Sequence, residues 1–510
     1  METGWQPKPG DKFVRRPLRA HPLRRALGAF GLFSAGYGNV GSSIYYALGL
    51  VALIALGATP VVLVVAGIFF IFTALSYAEG TAMLPGAGGS ASFARHGFND
   101  LTGSLAGWAL AFSYIVTIAI SAYTAPAYLG YFWGALSGPA GGTIAAMGIV
   151  FFLMCLNILG VKESSILNTA FAVLDVLTQV LIIFLAILFI FAPHPEIFSR
   201  NVLANWPSPE GLILGIAIAT LAYTGVETVS QLSEEARRPR ISAPRALIML
   251  IVVVMVLFIG ISVAAFSTIP PAEPVLDWAK EWGRDPIAGI AAGLNETIVP
   301  AEVATNGVAI AILDGILKLL PVLVAILAAT ILIIATNAGL MGISRLTFSL
   351  GRAQLVPLTL AKVHHKFKTP YRAIFIFSSV AILLLVPGFL PRVFPNFFII
   401  LGSLYVFGSL LAFSLAHASI IRLRIKEPEL FRPFKPRGNI TVRGYELPLY
   451  ALIGVVATSA MWLTMVIINH YALGIGLGWM ASGLIFYLVF RRRKKLPLVK
   501  TAPEINVPLS

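Results

Sequence analysis

Long apolar runs dominate this sequence. A helix that crosses a bilayer needs about 20 predominantly apolar residues, and runs of that length recur along the chain. Only 12% of the 510 residues are charged, against roughly a quarter in soluble domains. These features predict an all-α integral membrane protein with about twelve transmembrane helices. Their expected positions are residues 28–56, 60–83, 101–134, 142–160, 165–192, 209–233, 244–269, 313–350, 372–390, 395–423, 447–469 and 473–490.

Positive charges concentrate on one side of these predicted spans. If the helices alternate in direction, all but five of the 37 Lys and Arg residues share the side of the N-terminal tail. The exceptions are Arg200, Lys280, Arg284, Lys318 and Arg392. Because cytoplasmic joints are enriched in Lys and Arg, we expect a multi-pass protein of the cell (plasma) membrane with both termini in the cytoplasm. The net charge of +15 then reflects topology rather than binding to nucleic acid.

The joints between the spans suggest how the chain is divided. We expect a basic cytoplasmic N-terminal tail at residues 1–26, a core at 27–425, a linker with the last two spans at 426–492, and a cytoplasmic C-terminal tail at 493–510. The longest outer joint, residues 269–314, alternates acidic and apolar residues, including Trp278 and Trp282. It predicts short amphipathic helices on the outer face, with an irregular loop as the alternative.

Two predicted spans contain residues that interrupt helices. The first includes three glycines within residues 34–43, and the sixth places Gly225 beside Glu227. Glycine costs roughly 1 kcal/mol relative to alanine inside a helix, so we expect both helices to be broken within the membrane. Because the two breaks are five helices apart, an odd offset, the second set of five runs in the opposite sense, as in secondary transporters with a 5+5 inverted repeat. Close helix packing is the alternative explanation for the first-helix glycines.

Two carboxylates fall inside predicted spans. A charged side chain at the bilayer centre costs roughly 3 kcal/mol or more unless it is paired or neutralised. Glu227 is therefore a candidate proton acceptor, or alternatively a brace for the broken backbone. Asp175 in the fifth span is a second candidate for proton coupling, or a hydrogen-bonded structural residue. For Glu79 we favour a structural or gating role, and for His417 a packing role.

A polar stripe follows the third predicted helix. Tyr114, Thr117 and Ser121 are spaced three and four residues apart, so they share one helix face. That face should point into the bundle, where it could bind a solute or form interhelical hydrogen bonds. Tyr405 in the tenth helix could close the same site from the other side.

The sequence gives no support for an enzyme. The single cysteine, Cys155, excludes an intramolecular disulfide, and the seven histidines do not form a metal-ligand pattern. The glycine-rich stretch at residues 85–90 lacks the Gly-Lys-Ser/Thr ending of a phosphate-binding loop. We expect no cofactor and no bound metal. A secondary transporter of a small cationic or zwitterionic solute fits the broken helices best.

Several short segments together have a family likeness. They are the glycine-rich run of the first helix, residues 84–90, 224–227, 234–240 and 243–245, and residues 431–436 with Gly438. In this combination the chain resembles the amino acid/polyamine/organocation (APC) transporter superfamily over nearly its whole length. The resemblance implies a leucine-transporter-like fold with broken first and sixth helices, and solute uptake coupled to protons or another ion. It also implies that Asn39, Val40, Gly41, Ser42 and Ser43 surround a substrate carboxylate, and that the backbone at residues 222–225, including Tyr223, Thr224 and Gly225, surrounds an amino group.

Proton-coupled potassium importers of the same superfamily are similar to this chain at a second set of positions. These are Ser42, Ser43, Tyr46, Tyr114, Thr117, Ser121, Thr224, Glu227 and Tyr405. Asn39 departs from them, because those importers have an aspartate there, and an amide balances a bare cation less well. We therefore expect an amino acid or related amine as the substrate and a proton as the coupling ion, with proton-coupled potassium import as the alternative. The oligomeric state stays open.

Overall fold

The computed structural model of this chain describes residues 27–160, 165–270, 273–298, 307–367 and 369–502. The predicted tail at 1–26 and residues 503–510 of the second tail lie outside these ranges. The helices are α1 (Ala29–Val40), α2 (Ile44–Ala55), α3 (Thr59–Met83), α4 (Ser90–Gly97), α5 (Asp100–Leu129), α6 (Pro139–Leu159), α7 (Ser165–Ala186), α8 (Pro195–Ala204), α9 (Pro209–Ala219), α10 (Glu227–Gln231), α11 (Pro239–Thr268), α12 (Val275–Trp282), α13 (Pro286–Thr297), α14 (Gly307–Arg352), α15 (Tyr371–Leu385), α16 (Phe397–Lys426), α17 (Leu449–Ile468) and α18 (Leu477–Arg493). The two strands are β1 (Asn439–Val442) and β2 (Tyr445–Pro448).

Eleven stretches of the described residues are long and apolar enough to cross a membrane. One of them, Ala29–Met83, is 55 residues long, which is enough for two spans of about 20 residues each. Its two ends lie together, because the Leu27 N–H donates to the Glu235 carbonyl at 3.0 Å and the Ala87 N–H donates to Glu234 Oε1 at 3.1 Å. The chain must therefore reverse between them, which it does at Leu56 (φ 45°). The predicted fold class, with about twelve spans, is confirmed.

The two faces of the bundle can be named from these contacts. We call the face where Leu27, Ala87 and Glu234 meet the inner face. The opposite face, where the Gly57 N–H donates to the Asn205 carbonyl at 2.8 Å, is the outer face. The third span ends earlier than predicted, at Leu129 rather than residue 134, because the chain turns after Gly130.

The first and sixth spans both lose α-helical geometry near their middles. Between α1 and α2 the first span tightens into a 3-10 turn at Gly41–Ser43. Between α9 and α10 the sixth span passes through a 3-10 turn at Thr220–Tyr223, an extended Thr224 and then Gly225 with φ +112°. The interruption is thus mild in the first span and complete in the sixth.

Helices α5 and α16 form the buried centre of the bundle. Small residues allow this, since a Cβ on Gly408 of α16 would lie 2.9 Å from the Ser113 backbone nitrogen of α5. A Cβ on Gly107 of α5 would likewise lie 2.8 Å from the Leu350 side chain of α14. The glycines thus permit backbone contact between helices. Helices α17 and α18 lie at the periphery and expose apolar side chains such as Ile467 and Ile485.

The outer joint at 269–314 contains the predicted amphipathic helices. In α12 the side chains of Val275, Trp278 and Ala279 are buried, while Asp277 and Lys280 are exposed and form an ion pair. Helix α13 packs against α11 and α14. Residues 299–306 of this joint lie outside the described ranges.

A polar seam joins α3 to α16 and α17. Thr73 and Ser76 of α3 hydrogen-bond the two ring nitrogens of His417 at 3.2 and 2.8 Å, which confirms the packing role predicted for this histidine. Glu79, one turn further along α3, accepts two hydrogen bonds of 2.7 Å from the Arg424 guanidinium and a third from the Tyr450 hydroxyl. Because Glu79 and Arg424 are both buried, each charge depends on the other for stabilisation.

Two features of the region after α16 were not predicted. Strands β1 and β2 pair antiparallel around a two-residue turn, in which Arg443 and Gly444 both have positive φ, as a tight hairpin requires. After α18 the chain folds back and returns to the start of α5. There the Asp100 N–H donates to the Lys500 carbonyl at 2.8 Å, and the Arg491 guanidinium donates to Asp100 Oδ2 at 2.9 Å.

Candidate functional site

The interruptions of the first and sixth spans are in direct contact. A Cβ on Gly225 would lie 2.9 Å from the Asn39 amide nitrogen and 3.0 Å from the Val40 backbone nitrogen. Asn39 Nδ2 also donates to Thr228 Oγ1 at 2.8 Å, and Ser42 Oγ donates to the Asn39 carbonyl at 2.8 Å. Since Gly225 has φ +112° and no room for a side chain, only glycine allows this approach without strain.

Glu227 lies directly beside this contact and is fully buried. Its Oε2 atom accepts a hydrogen bond of 3.1 Å from the Gly225 N–H. Its Oε1 atom has no hydrogen-bond partner in the described part of the chain. The side chains of Tyr77, Tyr114 and Tyr405 lie in the surroundings of this carboxyl. It is therefore a buried acid with one oxygen available to a proton or a ligand.

Six buried side chains next to the interruptions form a group that we call the hydroxyl cluster. They come from the first, third, sixth and tenth spans, and all are at most 1% exposed. The members are Ser43, Tyr46, Thr117, Ser121, Thr224 and Tyr405.

Contacts within the hydroxyl cluster are close. The Ser43 and Tyr46 hydroxyls are 3.0 Å apart, and the Tyr46 hydroxyl also lies near Ser121. The Tyr405 hydroxyl lies near Thr117 and Thr224. The structure therefore brings the polar stripe of the third helix together with Tyr405 and the two interruptions. Tyr114 of the stripe lies on the Glu227 side of the cluster.

Asp175 occupies different surroundings. It receives hydrogen bonds from the Tyr37 hydroxyl at 2.7 Å, the Gln179 amide at 2.9 Å and the Tyr45 hydroxyl. Tyr37 and Tyr45 are eight residues apart and therefore lie close to one face of the first span. Among the described residues these three donors are the hydrogen-bond partners of this carboxylate, and the structure does not bring it together with Glu227.

Tyr223 also points away from the hydroxyl cluster. Its hydroxyl donates to the Leu63 carbonyl of α3 at 2.8 Å, and its ring stacks on Phe70 with 5.2 Å between centroids. Only its backbone remains at the interruption of the sixth span.

Several polar residues near Glu227 were missed by the sequence reasoning. The side chains of Tyr77, Ser90, Ser230 and Gln231 are buried, and each has polar atoms without a partner among the residues described. Gln231 could have been found, since it lies four residues after Glu227 and shares its helix face. Tyr77 and Ser90 had no such signal, because only tertiary packing brings them near the sixth span.

Two ion pairs close the bundle between the site and the inner face. At the inner face Arg345 pairs with Glu235 at 2.7 Å, and Arg352 pairs with Glu234 at 3.4 Å. A cavity of about 30 Å³ lies between Arg345, Ser34 and Gln231. A larger one of about 270 Å³, lined by Ser92, Arg95 and Glu234 among others, opens at the inner face.

The outer side is closed as well. Tyr128 links α13 to the first span, because its hydroxyl accepts from the Ile287 N–H at 3.4 Å and donates to the Tyr45 carbonyl at 2.8 Å. The hydroxyl cluster thus lies in an occluded interior. In the described ranges, no group of three or more His, Cys, Asp or Glu residues could hold a metal ion.

Comparison with known proteins places these features in a family. Residues 27–490 match the family model described as "Amino acid permease". The chain is 29% identical to the branched-chain amino acid permease BcaP of Bacillus subtilis (92% of this chain, 94% of the relative) and 30% identical to the methylthioribose transporter of that organism (95% and 98%). It is 22% identical to the low-affinity putrescine importer PlaP of Escherichia coli (87% and 88%). The chain belongs to the amino acid permease family of the APC superfamily, and it is a membrane transporter rather than an enzyme.

Proposed function

We propose that this permease carries an amino acid or a related amine across the cell membrane together with a proton. The observation that supports this best is the contact of Gly225 with Asn39 and Val40, beside the free oxygen of Glu227. Broken helices that meet at mid-membrane offer backbone N–H and C=O groups to the charged ends of a solute. The names of two relatives, a branched-chain amino acid permease and a putrescine importer, agree with this substrate class.

The binding residues follow from this arrangement. A substrate carboxylate would bind at the first-span interruption, at Asn39, Val40, Gly41, Ser42 and Ser43. An amino group would bind at backbone carbonyls of Tyr223, Thr224 and Gly225. The rest of the solute would contact Tyr46, Tyr114, Thr117, Ser121 and Tyr405.

Glu227 is our first candidate for the proton-coupling residue and Asp175 our second. The two carboxylates differ in their hydrogen bonds, since Asp175 accepts three and Glu227 accepts one. Hydrogen bonds to a carboxylate stabilise the ionised form, so Glu227 is freer to change protonation during transport. Asp175 fits a structural role within the first and fifth spans equally well.

Orientation and location remain part of the proposal. The inner face would be cytoplasmic, because it includes the basic residues Arg345, Arg352 and Arg491, and cytoplasmic ends of spans are rich in Lys and Arg. Both termini would then be in the cytoplasm.

Potassium import is a weaker alternative. The Asn39 amide donates to Thr228 and brings no charge to the site, so Glu227 would have to balance a bare cation alone. The relatives compared above are named for organic solutes.

The test is uptake into liposomes that contain the purified protein, under an imposed inward proton gradient. We expect uptake of a labelled amino-acid mixture that a protonophore abolishes, and little uptake of a rubidium tracer for potassium. Glu227→Gln should remove the dependence on the gradient. The matched control is Glu281→Gln, the same change at an exposed position of α12, which should leave uptake unchanged.

Other outcomes would contradict either the substrate class or the position of the proton-coupling residue. Rubidium uptake without amino-acid uptake would overturn the substrate class. Gradient-driven uptake that survives Glu227→Gln but fails in Asp175→Asn would move the coupling site to the fifth span.

A further inference from the structure

The hydroxyl cluster has more hydrogen-bonding capacity than the protein itself uses. The side-chain hydroxyls of Ser121, Tyr405 and Tyr114 are buried and make no hydrogen bond of good geometry among the residues that the structure describes, although other members of the hydroxyl cluster lie close to Ser121 and Tyr405. Thr117 and Thr224 donate to carbonyls of their own spans, at 2.9 and 2.8 Å, but their oxygens can still accept. Several donors and acceptors therefore remain available in the interior next to the interrupted helices.

Such a lining discriminates between solutes. A buried hydroxyl left unpaired costs free energy comparable to a lost hydrogen bond. A site built around polar groups therefore rejects a ligand that cannot pair them much more strongly than an apolar site rejects an added hydroxyl. Under the proposed function the interruptions bind the charged ends of an amino acid, so the members of the hydroxyl cluster from the third and tenth spans, Thr117, Ser121 and Tyr405, would face its side chain.

We propose that the solute carried by this permease bears a hydrogen-bonding group, such as a hydroxyl or an amide, on its side chain, and that aliphatic amino acids are poor substrates. This inference rests on the proposed function and narrows it. It differs from the substrate class in the name of the branched-chain amino acid permease, with which the chain shares 29% identity.

Threonine and valine provide a matched pair of substrates, because they have nearly the same shape and differ in one hydroxyl in place of a methyl group. Uptake of each should be measured separately in liposomes under the same proton gradient. We expect threonine to be taken up at least about tenfold more efficiently than valine, expressed as kcat/KM.

Two variants test whether the hydroxyl cluster causes this preference. Tyr405→Phe and Ser121→Ala each remove one unpaired hydroxyl with little change in shape, and each should bring the threonine-to-valine ratio closer to one. The controls are Tyr471→Phe and Ser482→Ala, which make the same changes at exposed positions and should leave the ratio as it is.

The outcomes distinguish an error in the side-chain preference from an error in the proposed function. If valine is taken up as well as threonine, or better, the side-chain preference is wrong and the amino-acid proposal stands. If the threonine preference persists unchanged in both cluster variants, the hydroxyl cluster is not its cause and the inference fails. If folded protein takes up neither amino acid and takes up rubidium instead, the proposed function itself is wrong.

Discussion

Asp175 and Glu227 are two buried carboxylates of one bundle that have different surroundings. Both are fully buried. Asp175 is held by two tyrosine hydroxyls and an amide from two spans, so it fixes the first span against the fifth. Glu227 keeps an unpaired oxygen next to a broken helix. The residue type alone could not predict this difference, because the two tyrosines that hold Asp175 are 138 and 130 residues away in the sequence.

Asp285, between α12 and α13, provides a prediction about pH. Burial raises the pKa of its carboxyl from 3.8 to about 6, although the neighbouring Arg284 opposes this shift. Since the folded state disfavours the ionised form, the protein loses stability as the pH rises from 3.8 to about 6 and keeps that penalty above this window. Asp285→Asn removes it. We expect this variant to melt at a higher temperature than the parent at pH 7.5, with the gap shrinking towards pH 4.

Thermal unfolding in detergent across this pH range is the measurement. Asp277→Asn, at an exposed position of α12, is the control and should show no such pH-dependent gap. A difference between Asp285→Asn and the parent that is constant with pH would contradict the prediction.

At the residue level, spacing along a helix predicts which side chains share a face. It does not predict where a side chain at an interruption points. Tyr114, Thr117 and Ser121 could be placed on one interior face because helix periodicity alone fixes that relation. Tyr223 lies next to the interruption in sequence, yet its side chain leaves the site for the Leu63 carbonyl. In an irregular backbone, sequence proximity does not determine side-chain direction.

Among the elements, the interruption of the sixth span gives the sharpest prediction. Gly225→Ala would place a Cβ 2.9 Å from Asn39 and 3.0 Å from Val40, at a φ that side chains rarely adopt. The two interrupted spans would have to separate, so we expect loss of most uptake activity in protein that still folds. Gly478→Ala is the control, because a Cβ there meets nothing within 4 Å. Normal uptake by Gly225→Ala would show that the contact is dispensable.

The polar seam between α3 and α16 provides a prediction about stability. Glu79→Gln would leave the buried Arg424 guanidinium with only the more distant Glu446 carboxylate, at 3.9 Å, as a counter-charge in the described part of the chain, and breaking a buried pair in this way costs about 3–5 kcal/mol. The free energy of unfolding in mixed micelles measures the effect.

Asp314→Asn makes the same chemical change in an exposed pair with Lys318, and surface pairs contribute little. We expect no measurable change there. Equal effects of the two substitutions would contradict the importance of the seam.

For the elements as a group, hydropathy predicted the spans because lipid imposes a length and a composition on each of them. It did not predict α8 or the hairpin of β1 and β2, since both lie in polar joints where no membrane constrains the sequence. The early end of the third span at Leu129 could not be predicted for a different reason, because apolar residues continue past the turn at Gly130.

On the scale of the whole molecule, the structure is closed at both faces. At the inner face, the Arg345–Glu235 pair lies beside the small cavity that includes Ser34, and we expect this pair to hold the face closed. Arg345→Gln should weaken this closure. We expect a cysteine introduced by Ser34→Cys, in a Cys155→Ser background, to react faster with a maleimide in detergent when Arg345→Gln is also present.

Arg437→Gln, at an exposed arginine, serves as the control for this experiment. Reaction rates that do not differ between Arg345→Gln and Arg437→Gln would show that the ion pair is not a gate.

The family and the number of spans could be predicted from the sequence, because short motifs and apolar length survive at low identity. Which helices form the centre could not be predicted. The centre depends on close approaches such as Gly408 to Ser113, and many glycines of the chain would have looked equally suitable.

The return of the chain to Asp100 has a consequence for how the protein is made. Asp100 and Arg491 are 391 residues apart, so the N-terminal end of the third span emerges from the ribosome long before its partners. Until Arg491 has been synthesised, Arg95, five residues away, is the one ion-pair partner that the described part of the structure gives Asp100. Contacts between such distant residues form late and slowly. The ion pair between Asp100 and Arg491 can therefore form only after the last span has been translated.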